Sequence, residues 1–448
     1  MVPLLFLQEL RRFSFFQQRS WAAVLVAILS TILLIIIIAL CIAFPAVQPP
    51  HIQGKYKVGI LDLHLPVDFG NDTQQQHVVA RILYPTDESG TMPYLKEEIG
   101  SEYLKQSIMA AAPPPINTFH WFLDSWKLIQ LDSKRNAKPL EGKKFPIICF
   151  SHGLCGSAAI YSYVTRSLVA NGYVVVAIDH SDGSNPVIMK KDGSVLLRDS
   201  TVKELWNQGK GIEYVHSRRE QTELRARELT GAAVAVQSLN SINIPELQEL
   251  GISFVDCLKT DEIYTMGHSF GGGTAITVAF RRPDLIKAVI AYEPTTDWTP
   301  NDVRQQLFPD GAVSTYDGEH NKDGTGGRGD VEKPISTTYD QMPTLFLFSN
   351  EWYIKNWGSV KLFEHMMKQG SLARGDFAVI RSAHHNEFSD MSYLTPLWLG
   401  RAVKATGERN PIDTAAEMVS RTLAFLEGEA AASEIPSKEK EHDKKMEL

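Results

Sequence analysis

The stretch Gly267-His268-Ser269-Phe270-Gly271-Gly272-Gly273 constrains this chain more than any other. It follows the apolar run Ile263–Met266 and precedes the helix-compatible segment TAITVAF. G-x-S-x-G between a strand and a helix is a nucleophile elbow, a turn so tight that the residues flanking the serine must be tiny. Such a turn holds the serine hydroxyl above the edge of a sheet, near the positive end of the following helix. Ser269 is therefore the candidate nucleophile, and the chain needs a parallel sheet to carry it.

The remaining sequence fits that requirement. Candidate strands are Lys57–Leu61, Val78–Tyr84, Pro146–Phe150, Tyr173–Ile178, Ile263–Met266, Ala288–Tyr292, Thr344–Phe348 and Phe377–Ile380. Several are continuous apolar runs, as expected for strands covered on both faces. A helical pattern spans roughly His216–Leu239. Strands alternating with helices predict an α/β fold: a mostly parallel central sheet with helices on both faces. Hydrophobic residues at 44% and charged residues at 22% exclude a disordered chain, and a net charge of −7 excludes a strongly basic nucleic-acid binder. Four cysteines without a C-x-x-C pair exclude a disulfide scaffold and leave no cysteine zinc site. No metal or cofactor is expected.

The ends of the chain read differently. Residues 21–44 carry no charge, start at Trp21 and are followed by Pro45. That run is long enough for a bilayer core of about 30 Å and longer than a cleaved signal peptide's apolar core. Arg11, Arg12 and Arg19 precede it against Glu9 alone, which places residues 1–20 in the cytosol and the rest in a lumen or outside the cell. The expected organisation is an anchor helix over 21–44, a Pro-rich stalk over 45–54, a catalytic domain over 55–428 and a disordered charged tail over 429–448. Residues 309–334 read as a Gly- and Asp-rich surface loop. Asn71-Asp72-Thr73 is a glycosylation sequon on the expected side. The final Lys445-Met446-Glu447-Leu448 resembles a retrieval signal of the endoplasmic reticulum, differing at its second position.

A serine nucleophile needs a base, and on this fold the chain order is serine, acid, histidine. His384 and His385 follow the last apolar strand, and pattern alone does not choose between them. Three carboxylates could orient the imidazole: Glu293 and Asp297 after the strand AVIAY, and Glu351 after TLFLF. An oxyanion hole takes one N–H from the residue after the nucleophile, Phe270, and one from a loop after an earlier strand. The segment PIICFSHGLCGS supplies that loop, with Leu154 as the second donor. His152 and Cys155 beside it read as packing residues.

Four stretches occur in an order that resembles the plasma-type platelet-activating-factor acetylhydrolases, serine-dependent phospholipases that act on short or oxidised sn-2 acyl chains. They are FSHGLCGS with NGYVVVAIDHSDGS, then SRREQTELRA, then GHSFGGGTA, then PTLFLFSNEWY with IRSAHHNEFSD. The resemblance covers roughly residues 54–400. It implies an α/β-hydrolase fold, calcium-independent hydrolysis of a phospholipid at a membrane or lipid-particle surface, Ser269 as nucleophile, and Leu154 and Phe270 as oxyanion donors. The pattern H-x-x-F-x-D selects His385 as base. The acid segment AYEPTTDWTP departs from the family: register from the strand end selects Glu293, and distance from Trp298 selects the alternative, Asp297. Glu351 ranks third. Family members meet lipid through apolar surface helices, and residues 116–130 (INTFHWFLDSWKLIQ) match such a helix, with Phe119, Phe122 and Trp126 as lipid-contact candidates at helical spacing; packing of the same stripe against the core is the alternative. Two other readings fit the same residues: a general carboxylesterase or lipase, and a decayed lipid-binding protein. Oligomeric state is not encoded in these patterns.

Overall fold

Runs such as VVVAID and TLFLFS are rich in β-branched and aromatic residues with no polar alternation, which suits strands buried on both sides. The structure, a computed structural model, describes residues 21, 23–39, 48–69, 77–96, 98–111, 126–307, 342–368 and 375–428. Asn71, Phe119, Phe122, residues 309–334 and the tail 429–448 lie outside the described residues. Two compact units divide the chain, Met1–Ala46 and Val47–Leu448.

In the first unit residues 21 and 23–39 are helical, and large apolar side chains such as Ile35 are exposed. Among the described residues no helix is long and apolar enough to cross a membrane. The anchor expected over 21–44 falls only partly within the described residues.

The second unit is built on strands β1 (Lys57–Pro66), β2 (His77–Thr86), β3 (Met92–Pro93), β4 (Gln130–Leu131), β5 (Lys134–Arg135), β6 (Phe145–Ser151), β7 (Val174–Asp179), β8 (Val187–Met189), β9 (Val195–Leu197), β10 (Leu258–His268), β11 (Ala288–Tyr292), β12 (Thr344–Ser349) and β13 (Gly375–Ile380). Nine form one sheet in the order β13-β12-β11-β10-β6-β7-β2-β1-β5. From β13 to β7 all neighbours are parallel, whereas β2 runs antiparallel to both β7 and β1.

All eight expected strands form. β1 continues to Pro66, past the expected Leu61, because its second half alternates as LDLHLP. Asp62 in that half lies opposite Arg81 in register, and its carboxylate accepts from Nε at 2.8 Å and Nη2 at 3.1 Å. Cross-strand pairing of opposite charges lets a charged residue sit in a buried strand. β5 is a two-residue basic pairing with no strand signal in its sequence.

Alternation within each strand splits the interior into two cores. Ile147, Cys149, Val174 and Val176 face one core, which holds Ala232 and Ala233 of the helix Gly211–Leu239 and Ile276 of the helix Phe270–Arg281. Ile148, Phe150, Val175 and Ala177 face the other, with Leu168 of the helix Ser162–Ala170 and Met418 of the helix Pro411–Leu426.

The lipid-contact reading of Trp126 is corrected. Trp126 is only 3% exposed and Ile129 1%. The indole meets Tyr94 edge-on, with centroids 6.4 Å apart. Residues 126–128 are a 3-10 turn leading into β4, and the rest of the helix expected over 116–130 up to residue 125 lies outside the described residues. Burying an indole against the second core outweighs presenting it to solvent.

Candidate active site

β10 delivers Ser269 at the carboxyl edge of the sheet, and the helix Phe270–Arg281 leaves from it. Ser269 takes φ 56° and ψ −117°, a strained conformation for a residue with a Cβ. Its N–H donates to the Tyr292 carbonyl at 2.8 Å, and its carbonyl accepts from Thr295 N–H at 3.1 Å. The glycines are steric requirements: a Cβ on Gly267 would stand 2.1 Å from the Gly271 carbonyl oxygen, and one on Gly271 2.0 Å from that of Ser151.

Beside the elbow, β11 ends at Tyr292, paired with Leu347, and the chain turns at Glu293 with φ 47° while its N–H donates to the Leu347 carbonyl at 2.9 Å. The Glu293 carboxylate is fully buried. One oxygen accepts the Ser349 N–H at 2.6 Å, and the other is paired through a short hydrogen bond with His385 Nδ1. His268 Nε2 lies 3.5 Å from that second oxygen. Burial would raise the Glu293 carboxyl, but the imidazoles of His385 and His268 bring it down to about 2. Burial, aided by His385, brings His268 down to about 4 despite the pull of Glu293. Trp352 stacks on the His385 ring at 4.5 Å.

The other expected acids take different places. Glu351 accepts the backbone N–H of His385 at 3.0 Å and binds Lys355 at 2.8 Å. It therefore orients the segment that carries the histidine, not its ring. Asp297 sits in the 3-10 turn Thr296–Trp298, where burial pushes its carboxyl up to about 6 against the pull of Arg304 and Arg219. His384 faces elsewhere, with Nδ1 3.1 Å from the Lys404 carbonyl. In the rest of HNEFSD, Phe388 is buried and Asp390 accepts the Ser162 and Tyr163 N–H groups at 2.7 and 3.2 Å, tying the loop to a helix start.

Phe270 opens the elbow helix, so its N–H is one of the four that lack an intrahelical partner. Leu154 lies in the loop after β6. The amides on either side of it are committed: Gly153 N–H to Tyr161 Oη at 3.0 Å and Cys155 N–H to the Ser184 carbonyl at 2.9 Å. His152 is a packing residue as expected. It is fully buried, its ring lies 5.1 Å from that of His180, and burial drives its pKa well below the usual value.

The ligating atoms of His268, Glu293 and His385 lie within 4.8 Å of one another, a spacing that a metal ion could also use. In the geometry present His385 Nδ1 is hydrogen-bonded to Glu293. Sequence reasoning missed Trp352, Tyr161, whose hydroxyl is 2.9 Å from His268 Nδ1, and the buried Arg225. Arg225 stands in SRREQTELRA, where only its position inside a helix was visible.

A mostly parallel sheet, helices on both faces, a serine on a strained strand-to-helix turn and a histidine paired with a carboxylate on the next strand's exit define an α/β hydrolase. The ferulic acid esterase from Streptomyces cinnamoneus shares that fold, with a TM-score of 0.56, 16% identity, and coverage of 87% of this chain and 96% of that one. The chain belongs to the family described as platelet-activating factor acetylhydrolase, isoform II, whose model matches residues 41–298 and 332–445. Residues 253–374 also match the prolyl oligopeptidase family. Similar curated proteins include platelet-activating factor acetylhydrolase of Canis lupus familiaris, 27% identical over 250 residues and covering 51% of each chain. That of Gallus gallus is 24% identical over 326 residues, covering 69% of this chain and 67% of its own. A putative phospholipase A2 of Schizosaccharomyces pombe is 22% identical over 267 residues, covering 52% and 59%. The chain thus spans about half the length of the first of these relatives.

Proposed function

We propose that this chain is a serine-dependent, calcium-independent hydrolase of the sn-2 ester of phospholipids with short or oxidised acyl chains. The observation that carries the reading is the pair of buried Glu293 with partly exposed His385, next to the strained turn of Ser269. Glu293 holds the Nδ1–H tautomer, which leaves Nε2 to take the Ser269 proton. Ser269 Oγ attacks the sn-2 carbonyl carbon. The amides of Leu154 and Phe270 stabilise the oxyanion, each worth about 3–4 kcal/mol in comparable sites. The bond from that carbon to the glycerol oxygen breaks, His385 returns the proton to this oxygen, and lysophospholipid leaves. Water, deprotonated by His385, then releases the acyl group as a carboxylate. Membership of the acetylhydrolase family supports the choice of substrate. We further infer that the uncharged run 21–44 anchors the chain, with the catalytic unit lumenal or extracellular. Protease protection of the catalytic unit in sealed microsomes is the expected result, and digestion without detergent would refute it.

The test uses the full-length chain in detergent with EDTA, comparing phosphatidylcholines that carry acetyl or palmitoyl at sn-2. Strong preference for acetyl, abolished in Ser269→Ala, is the expected outcome. Equal or faster turnover of palmitoyl would make the protein a general lipase with the same triad. Turnover that survives Ser269→Ala would refute the mechanism.

A further inference from the structure

We propose that Arg225 is a positioning residue for the oxyanion hole, holding the amides of Leu154 and Phe270 at one fixed spacing; this rests on the serine mechanism above. Arg225 lies on the helix Gly211–Leu239 and is fully buried. Its Nε donates to Asp182 Oδ2 at 2.8 Å, its Nη1 donates to the His152 carbonyl at 2.8 Å, and its Nη2 donates to Ser184 Oγ. The Cζ of the same guanidinium lies over the Phe270 ring, 4.0 Å from its centre.

These contacts converge on both halves of the hole. On one side Arg225 grips the loop after β6 at two points. It binds the His152 carbonyl directly, and it holds Ser184, whose own carbonyl accepts the Cys155 N–H. Leu154 lies between those points. On the other side it seats the side chain of Phe270, the first residue of the elbow helix. Asp182 keeps the cation in place and accepts the Ser184 N–H at 3.1 Å. A buried charge is tolerated only when paired and hydrogen-bonded. A planar fork with fixed donor directions fits these acceptors and the ring face at once, which a flexible ammonium cannot. Spacing matters because a misplacement of about 1 Å can cost 100-fold in rate.

The full-length chain and its Arg225→Lys, Arg225→Met and Phe270→Leu variants are assayed on 4-nitrophenyl acetate and on the corresponding thionoester. Sulfur accepts hydrogen bonds poorly, so the ester-to-thionoester rate ratio reads the oxyanion hole and not the base. Arg225→Met should lower kcat on the ester about 10- to 100-fold, a partial loss of the effect of one donor. KM should change little, the rate ratio should collapse, and the apparent pKa of the pH–rate profile should be unmoved. Arg225→Lys should fall between. Phe270→Leu, which keeps the amide and removes the ring from the guanidinium, should shift the ratio the same way and provides the test if Arg225→Met does not fold. An unchanged ratio in the folded variants would overturn the proposal and leave Arg225 a packing residue. A moved pH profile would overturn it as well, by placing the effect on His385. Wild-type turnover surviving Ser269→Ala would instead mark failure of the underlying mechanism.

Discussion

Glu293 and Asp297 leave the same strand four residues apart, and the protein treats their carboxyls in opposite ways. Both lose water. Glu293 sits between two imidazoles, which against burial bring its pKa down to about 2, and its other oxygen accepts the Ser349 amide. Asp297 lies in a turn where burial dominates over Arg304 and Arg219, and its pKa rises to about 6. Desolvation alone therefore says nothing about a catalytic role; the hydrogen-bond partner of the ionised form decides it.

The comparison breaks first at Glu293. Glu293→Gln should reduce kcat by about 10⁴ through loss of the correct imidazole tautomer. Steady-state kinetics on the acetyl substrate checks this, and a fall smaller than tenfold would remove Glu293 as the orienting acid. Glu351→Gln should cost about 10- to 100-fold, since it disturbs the His385 backbone and not its ring. A loss equal to that of Glu293→Gln would reverse their roles.

Asp297→Asn should leave kcat within about threefold, as expected away from the reacting groups, and should raise stability at neutral pH. The sign follows from the raised pKa. The native carboxyl keeps its proton up to about pH 6, whereas the unfolded one loses it near 3.8. Stability contributed by this group is full below the unfolded value and falls as pH rises through the native one. Asparagine has no proton to lose, so its gain at pH 7 is at most about 3 kcal/mol, at about 1.4 kcal/mol per pH unit. Thermal melting at pH 7 and pH 4 checks it: the gain should be present at the first and absent at the second. Glu293 carries the opposite sign, contributing stability above its unfolded value that fades as pH falls toward 2. The smallest effect belongs to His384→Ala, within about twofold in activity because the ring faces the Lys404 carbonyl. A larger loss would reopen the choice between the two histidines.

Much of the scaffold was legible in the chain. Strands such as VVVAID announce themselves because a strand covered on both faces must be apolar throughout. The extension of β1 carried a readable alternation, LDLHLP, and what the sequence did not show was the Arg81 partner that lets Asp62 sit there. Trp126 misled for a related reason. Its spacing fits an amphipathic face equally well toward lipid or toward Tyr94, and periodicity does not say which surface a face meets.

Ser269, the strand before it, the helix after it and the glycines around it were determined by sequence alone. The elbow's pattern is local, though the space its glycines leave is filled from outside it, as by the Ser151 carbonyl against Gly271. The tertiary structure decided what lies across the sheet. It put Glu293, not Asp297, on His385 Nδ1, because Glu293 leaves β11 directly after Tyr292 with its N–H held by the Leu347 carbonyl of β12. It also carried Arg225 from a distant helix to the Phe270 ring and the His152 carbonyl. Such pairings depend on the register of separate elements, and no local spacing in the chain encodes it.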